Sequence, residues 1–173
     1  MEYLDAVKKS MVSLAEDDRT IFLGYNICFG SQAYETLKDI PKERKIETPV
    51  AENLMIGLAT GLSLAGYRPL VFFERHEFVL NALDGIVNHL DKIEKISEGQ
   101  YQTPVIIRAT IGGTKPLMPG LQHIGDFTES FRNLVSFPVY VPKNAEEVIE
   151  TYESAKNSSG PTMIIERRDL FKK

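Results

Sequence analysis

Six short apolar runs constrain what this chain can fold into. They are TIFLGY (20–25), RKIETP (44–49), PLVFF (69–73), PVIIRAT (104–110), FPVYVP (137–142) and PTMIIE (161–166). Each is strand-length and rich in β-branched or aromatic residues. Between them the apolar positions take a helical period over 51–65, 78–97 and 144–157, with a shorter stretch near 127–134. Ahead of the first run, Leu4, Val7, Met11 and Leu14 share one helical face. Asn144 and Glu147 have the spacing of a capping box and predict a helix start at 145. Short strands alternating with helices predict a single α/β domain over 1–173, with a mainly parallel sheet of about six strands and helices on both faces. A chain of 173 residues suits one such domain and is short for two.

Parallel sheets bind ligands beyond the carboxyl ends of their strands. Three loops follow strands in this way: 24–34, 47–53 and 110–126. The third is rich in Gly and Pro before it reaches His123 and Asp126, and long loops in compact domains commonly carry function. Composition narrows the partners. The net charge of −4, with both signs interspersed, leaves no broad basic face for nucleic acid or anionic lipid. The cluster Arg167, Arg168, Lys172 and Lys173 is diluted by Glu166 and Asp169 and reads as a solvated tail. Cys28 is the sole cysteine, which excludes an intrachain disulfide and a cysteine metal cluster. With no histidine near it in sequence, it reads as a passive residue. MEYLDAVKKSM lacks the apolar run of a signal peptide or membrane span, so the cytoplasm is the expected compartment. No G-x-G-x-x-G follows the first strand, which argues against a Rossmann-type nucleotide binder.

Glu52 is the one acid between an extended apolar lead-in and a Gly-studded helix in IETPVAENLMIGLATGLSLAGYRP. With Thr48 as N-cap and Pro49 as the first helical residue, it would compensate the helix dipole. It falls one residue beyond the capping-box position, which is Ala51. Gly57, Gly61 and Ala65 recur every four residues along the same helix, flanked by Leu54, Leu58 and Leu62. A glycine inside a helix costs roughly 1 kcal/mol relative to alanine, so two of them call for close approach by another element. Either an internal contact or a subunit interface would meet that need.

The stretch TPVAENLMIGLATGLSLAGYRPLV resembles the pyrimidine-binding domain of the transketolase group of thiamine diphosphate enzymes, most nearly the beta subunits of 2-oxoacid dehydrogenases. The likeness continues through DGIVNHLDKI (84–93), EGQYQTPVIIR (98–108), GLQHIGDF (120–127) and VPKNAEEV (141–148). The resemblance implies that Glu52 hydrogen-bonds the cofactor's aminopyrimidine ring. There it favours the imino form that takes the proton from the thiazolium carbon. Such a role needs a carboxyl group in a dry pocket, where proton sharing is feasible. Phe78 matches the position whose ring stacks on the pyrimidine, whereas Phe73 reads as core. His123 matches a histidine on the substrate side, able to hydrogen-bond a substrate oxygen or move a proton. His76 is a secondary substrate candidate, and His89 reads as a surface or packing residue. Gly57 and Gly61 match the helix these enzymes use in subunit packing.

The sequence also departs from that family. Gly24 is followed by Tyr25 and Asn26 where an acidic residue is common, and Arg75, His76 and Glu77 stand ahead of Phe78. These residues imply a polar pocket mouth, with Arg75 able to meet a carboxylate or phosphate. No GDG with a following Asn is present to carry magnesium and diphosphate, and the C-terminal domain typical of the beta subunits does not follow MIIERRDLFKK. The resemblance therefore implies half of a site, completed by a separate diphosphate-binding subunit, with Mg on that subunit and a heterotetramer as the assembly. The implied activity is cleavage or formation of a C–C bond next to a carbonyl in a small substrate. It would proceed by 2-oxoacid decarboxylation with acyl transfer or by ketol transfer. The alternative is a non-catalytic assembly or regulatory domain that retains the fold.

Overall fold

A computed structural model describes residues 1–114 and 118–171, so Lys172 and Lys173 of the basic cluster lie outside the described residues. The elements follow the expected alternation: α1 (Tyr3–Ala15), β1 (Thr20–Gly24), β2 (Lys45–Glu47), α2 (Glu52–Leu64), β3 (Arg68–Phe73), α3 (Ile93–Ile96), β4 (Ile106–Ile111), α4 (Thr128–Leu134), β5 (Val139–Tyr140), α5 (Ala145–Asn157) and β6 (Thr162–Arg167). The six strands form one sheet in the order β2-β1-β3-β4-β6-β5, and every pair is parallel. Among the described residues no helix is long and apolar enough to cross a membrane.

Register sorts the strand residues into two cores. Leu23, Val71, Ile107 and Met163 lie side by side across four strands. Together with Phe73, Ala109 and Ile165 they face Met55, Ile56 and Ala59 of α2 and Phe131 of α4. The alternate residues, Phe22, Leu70, Phe72 and Ile164, face Val7 and Met11 of α1 and Val148 and Tyr152 of α5. A sheet buried on both faces needs apolar residues at successive positions, which is why the strands read as continuous apolar runs. Phe73 is fully buried, as expected.

Two local expectations change, and one turn has no forewarning in the sequence. The helical stretch at 78–97 is broken into a 3-10 turn at His76–Ala82, a π-helical turn at Gly85–Leu90 and the short α3. Gly85 packs so closely on α2 that a Cβ there would lie 2.5 Å from Cγ2 of Ile56. Helix α2 starts at Glu52, with Ala51 as an N-cap that makes no side-chain bond. Thr48 and Pro49 are therefore outside the helix, and the Thr48 N–H donates to the Gly24 carbonyl at 2.8 Å. Finally, Gln32, Ala33, Tyr34 and Glu35 all have positive φ, between 46° and 65°. A left-handed turn built without glycine is unfavourable by roughly 1 kcal/mol or more per residue. It is held by what it buries, with Ala33 and Leu37 sealed in the α1/α5 core.

Helix α5 starts at Ala145 as expected, with half of the capping box at 144–147 formed. Asn144 Oδ1 accepts the Glu147 N–H at 2.9 Å, and the returning Glu147 carboxylate takes the Lys143 N–H at 2.8 Å rather than that of the cap residue.

Candidate functional site

The chain leaves β1 toward one sheet edge, forms β2, and crosses back to form β3 on the other side of β1. The strand order therefore reverses around β1, and ligand sites in such sheets form beyond the carboxyl ends at that point. Tyr25 follows β1, Glu52 follows β2, the segment Glu74–Phe78 follows β3, and the loop from Gly112 to Phe127 follows β4. All the residues singled out from the sequence for ligand chemistry therefore gather at one end of the sheet.

Glu52 is only 7% exposed. As the first residue of α2 it sits where the helix dipole favours an anion. Its Oε2 accepts a hydrogen bond from Asn81 Nδ2 at 3.3 Å. Asn81 lies one turn beyond Phe78, so the same 3-10 segment carries both the aromatic ring and the partner of Glu52. Phe78 is half-buried. Its ring meets His123 edge-on, with centroids 5.4 Å apart, and tilts against Tyr25 at 6.4 Å. Glu52, Phe78 and His123 thus form one group, joined by Asn81 and Tyr25.

Two polar atoms in this group are buried and have no side-chain hydrogen-bond partner among the described residues: His123 Nδ1 and the Tyr25 hydroxyl. Burying such atoms unpaired costs about 1–3 kcal/mol each, and native proteins keep few of them. Burial, and then the charges of Glu52 and Glu74, push the Tyr25 phenol far above its usual range, so it remains a hydrogen-bond donor. A heterocycle with polar edges fits this surface: an apolar ring to stack on, a carboxylate at one edge, and unsatisfied polar atoms around it.

Arg75 and His76 are placed differently from the expectation of a polar pocket mouth. Arg75 is buried, and its Nη1 donates to the carbonyls of Gly112 at 3.0 Å and His123 at 3.1 Å. His76 is fully buried, stacked on Phe131, and its Nδ1 accepts the Phe127 N–H at 3.2 Å. Both side chains are directed at backbone groups of Gly112, His123 and Phe127 rather than toward solvent. His89 is exposed, 3.5 Å from Asp84. Cys28 is half-buried, and burial together with Glu47 raises its thiol pKa, which disfavours the reactive thiolate. Glu47 itself accepts the backbone N–H groups of Asn26, Ile27 and Cys28, which orders the turn after Tyr25.

His76 makes the domain acid-sensitive. Burial lowers its pKa from 6.5 to about 4, against the opposing pull of Asp126 and Glu77. Below pH 6.5 the unfolded chain gains a proton that the folded chain refuses, so stability falls as pH drops from 6.5 toward 4. The loss reaches about 3 kcal/mol at the lower end. Urea unfolding at pH 7 and pH 4.5 should show a smaller pH-dependent loss for His76→Gln than for the native chain. Equal losses in the two proteins would remove His76 as the cause.

The sequence as a whole decides the family. The family model described as the transketolase, pyrimidine binding domain matches residues 1–173. The chain belongs to this family. Among curated relatives of this pyrimidine-binding domain, the pyruvate dehydrogenase E1 component subunit beta of Rickettsia conorii is 28% identical over 171 residues, covering 96% of this chain and 51% of the relative. The human mitochondrial counterpart is 26% identical over 172 residues, covering 96% of this chain and 47% of that protein. The chain spans about half the length of the curated relatives it matches. A solved structure described as a split gene transketolase, inactive beta4 tetramer, superposes with a TM-score of 0.74 at 25% identity, covering 97% of this chain and 52% of that one. Transketolase from Campylobacter jejuni shares the fold, with a TM-score of 0.77 at 13% identity over 95% of this chain and 25% of that one.

For this pyrimidine-binding domain, sequence reasoning missed Asn81 and the structural use of Glu77. Asn81 carried a signal, as a lone amide in the apolar run FVLNAL three residues after Phe78. Glu77 carried none, because its partner Gly125 is 48 residues away.

Proposed function

We propose that this chain is the pyrimidine-binding half of a two-chain thiamine diphosphate enzyme that cleaves or forms a C–C bond next to a carbonyl. The reaction would be 2-oxoacid decarboxylation with acyl transfer, or ketol transfer, on a small carbonyl substrate. The observation that carries this reading is the buried Glu52 carboxylate at the head of α2, beside the half-exposed Phe78 ring. The cofactor fits that surface, since a flat ring with polar edges would satisfy groups that the described residues leave unpaired. When bound, thiamine diphosphate supplies the electron sink for the reaction. Glu52 would hydrogen-bond the pyrimidine edge and share its proton there. Phe78 would stack on the ring face and exclude water from it. His123, braced edge-on by Phe78, orients the substrate oxygen or exchanges a proton with it.

The diphosphate half and Mg are assigned to a partner subunit, in a heterotetramer. The relative described as an inactive tetramer of beta chains from a split gene supports a requirement for a second chain. The partner surface is the outer face of α2. A Cβ added at Gly57 or Gly61 would meet nothing within 4 Å among the described residues, which supports a contact with another chain over an internal one as the reason for these glycines. The same face carries Leu54 and Leu64, 53% and 45% exposed.

The test is to purify the chain with its candidate partner and titrate the pair, and each chain alone, with thiamine diphosphate and Mg by calorimetry. Binding by the pair alone is expected. No binding by the pair would overturn the reading and leave an assembly domain, with Glu52 reduced to a helix-end charge.

A further inference from the structure

Three consecutive side chains, Arg75, His76 and Glu77, each hold a different point of the segment that carries His123. Arg75 Nη1 donates to the His123 carbonyl at 3.1 Å and to the Gly112 carbonyl at 3.0 Å. His76 Nδ1 accepts the Phe127 N–H at 3.2 Å. The Glu77 carboxylate accepts the Gly125 N–H. The approach is close: a Cβ on Gly125 would lie 3.3 Å from Cγ of Glu77 and 2.8 Å from the Phe127 ring. Arg75 and His76 are buried and Glu77 is half-buried, so little water competes for these bonds.

The next residue, Phe78, is the ring against which the His123 imidazole rests edge-on. His123 lies in a short 3-10 turn, Leu121–His123, that contributes no buried residue of its own. Packing on its own turn therefore cannot fix the imidazole, and its position depends on these external bonds. Arg75 fixes its backbone carbonyl, Glu77 and His76 fix the chain two and four residues onward, and Phe78 limits its ring.

We propose that Arg75, His76 and Glu77 are positioning residues that set the place of His123 at the substrate, with no contact of their own to the substrate. This rests on the proposed function, in which His123 acts at the substrate. The polar segment ahead of Phe78 then reports how the histidine is held and carries no direct information about substrate charge. A donor, an acceptor ring nitrogen and a carboxylate in succession match a carbonyl and two N–H groups in the facing segment. A neighbouring apolar run could not supply that set.

Glu77→Ala removes one acceptor, and Glu77→Gln keeps an acceptor oxygen at the same reach. Amide exchange measured on the chain itself should show the Gly125 N–H exchanging at least about tenfold faster in Glu77→Ala and close to native in Glu77→Gln. In the assembled enzyme, Glu77→Ala should lower kcat by about tenfold to a hundredfold with little change in KM, as expected when a reacting group is displaced by an ångström or less. Glu77→Gln should restore most of it. In the His123→Ala background, adding Glu77→Ala should cause no further loss, because the clamp acts through His123. Native exchange at Gly125 in Glu77→Ala, or a full additional loss of kcat in the double variant, would overturn the proposal. Native turnover in His123→Ala would instead overturn the role given to His123, while the exchange measurement would still decide whether the clamp exists.

Discussion

In the two-chain enzyme proposed above, Glu52→Gln should lower turnover by two to four orders of magnitude, the usual contribution of a positioned proton-sharing group. The substitution is nearly isosteric, and an amide oxygen can still accept the Asn81 Nδ2–H that Glu52 Oε2 now accepts at 3.3 Å. Loss of the charge at the head of α2 weakens a dipole interaction worth about 0.3–1 kcal/mol, which the domain should tolerate. Folding, partner binding and the packing of Phe78 should therefore be preserved, and the defect should lie in kcat. A variant that folds, assembles and turns over at the native rate would remove Glu52 from the chemistry. A variant that fails to assemble would make Glu52 an interface residue. Unfolding curves and co-purification, measured beside the kinetics, separate these outcomes.

That prediction starts from a residue legible in the sequence, but the supporting structure was only partly legible. The strands were readable because burial on both faces makes each of them a continuous apolar run, and the helices α1, α2, α4 and α5 because their apolar stripes repeat at helical spacing. The segment after β3 was not readable as a broken helix. Its apolar period is continuous, and the π-helical turn begins at Gly85, where the segment approaches Ile56 of α2, a residue it meets only in the folded chain. The start of α2 was legible in the 51–65 period, but its cap was not: Thr48-Pro49 is a good local helix start, whereas Thr48 is held by the Gly24 carbonyl at the end of β1. The left-handed turn at Gln32–Glu35 carries no glycine to announce it. The same rule covers Arg75, His76 and Glu77. Residues whose partners are 37 to 51 positions away show their chemistry in the sequence but not what they hold. The sequence likewise shows an arginine in β4 and a glutamate in β6, and only the adjacency of these strands brings them diagonally together, Arg108 lying opposite Ile164 and Glu166 opposite Thr110.

Arg108→Met should cost about 3–5 kcal/mol of stability, a large share of the roughly 5–15 kcal/mol available to a domain of this kind. Arg108 and Glu166 are both fully buried between the sheet and the α1/α5 layer. Their contact is two-pronged, with Nε to Oε1 at 3.0 Å and Nη2 to Oε2 at 2.9 Å. Arg108 Nη1 also donates to Thr36 Oγ1 at 2.8 Å, at the end of the left-handed turn, and the guanidinium lies over the Phe72 ring at 4.9 Å. The Tyr152 hydroxyl donates to Glu166 Oε1 at 2.7 Å, and burial followed by Glu166 keeps that phenol protonated. Removing the arginine leaves a carboxylate with no counter-charge inside the protein, and removing the glutamate leaves a guanidinium in the same state. Replacing both by apolar residues of similar size leaves no buried charge, only the Thr36 and Tyr152 hydroxyls to lose a partner. Arg108→Met with Glu166→Leu should therefore be no less stable than either single variant, and a double-mutant cycle in urea should give a coupling of several kcal/mol. Additive losses would mean that each charge is solvated or paired by other means. The pair also bears on the site through Thr36 and the turn it closes. Tyr34 in that turn donates to the Glu74 carbonyl at 3.0 Å, and Thr110 of β4 donates to the same carbonyl at 2.6 Å. Glu74 immediately precedes Arg75, so the buried ion pair anchors the residue from which the clamp on His123 begins. The double variant should keep its fold while the Glu74–Glu77 segment and the loop it holds exchange their amides faster, whereas the exchange of α5 amides away from Tyr152 should be unchanged.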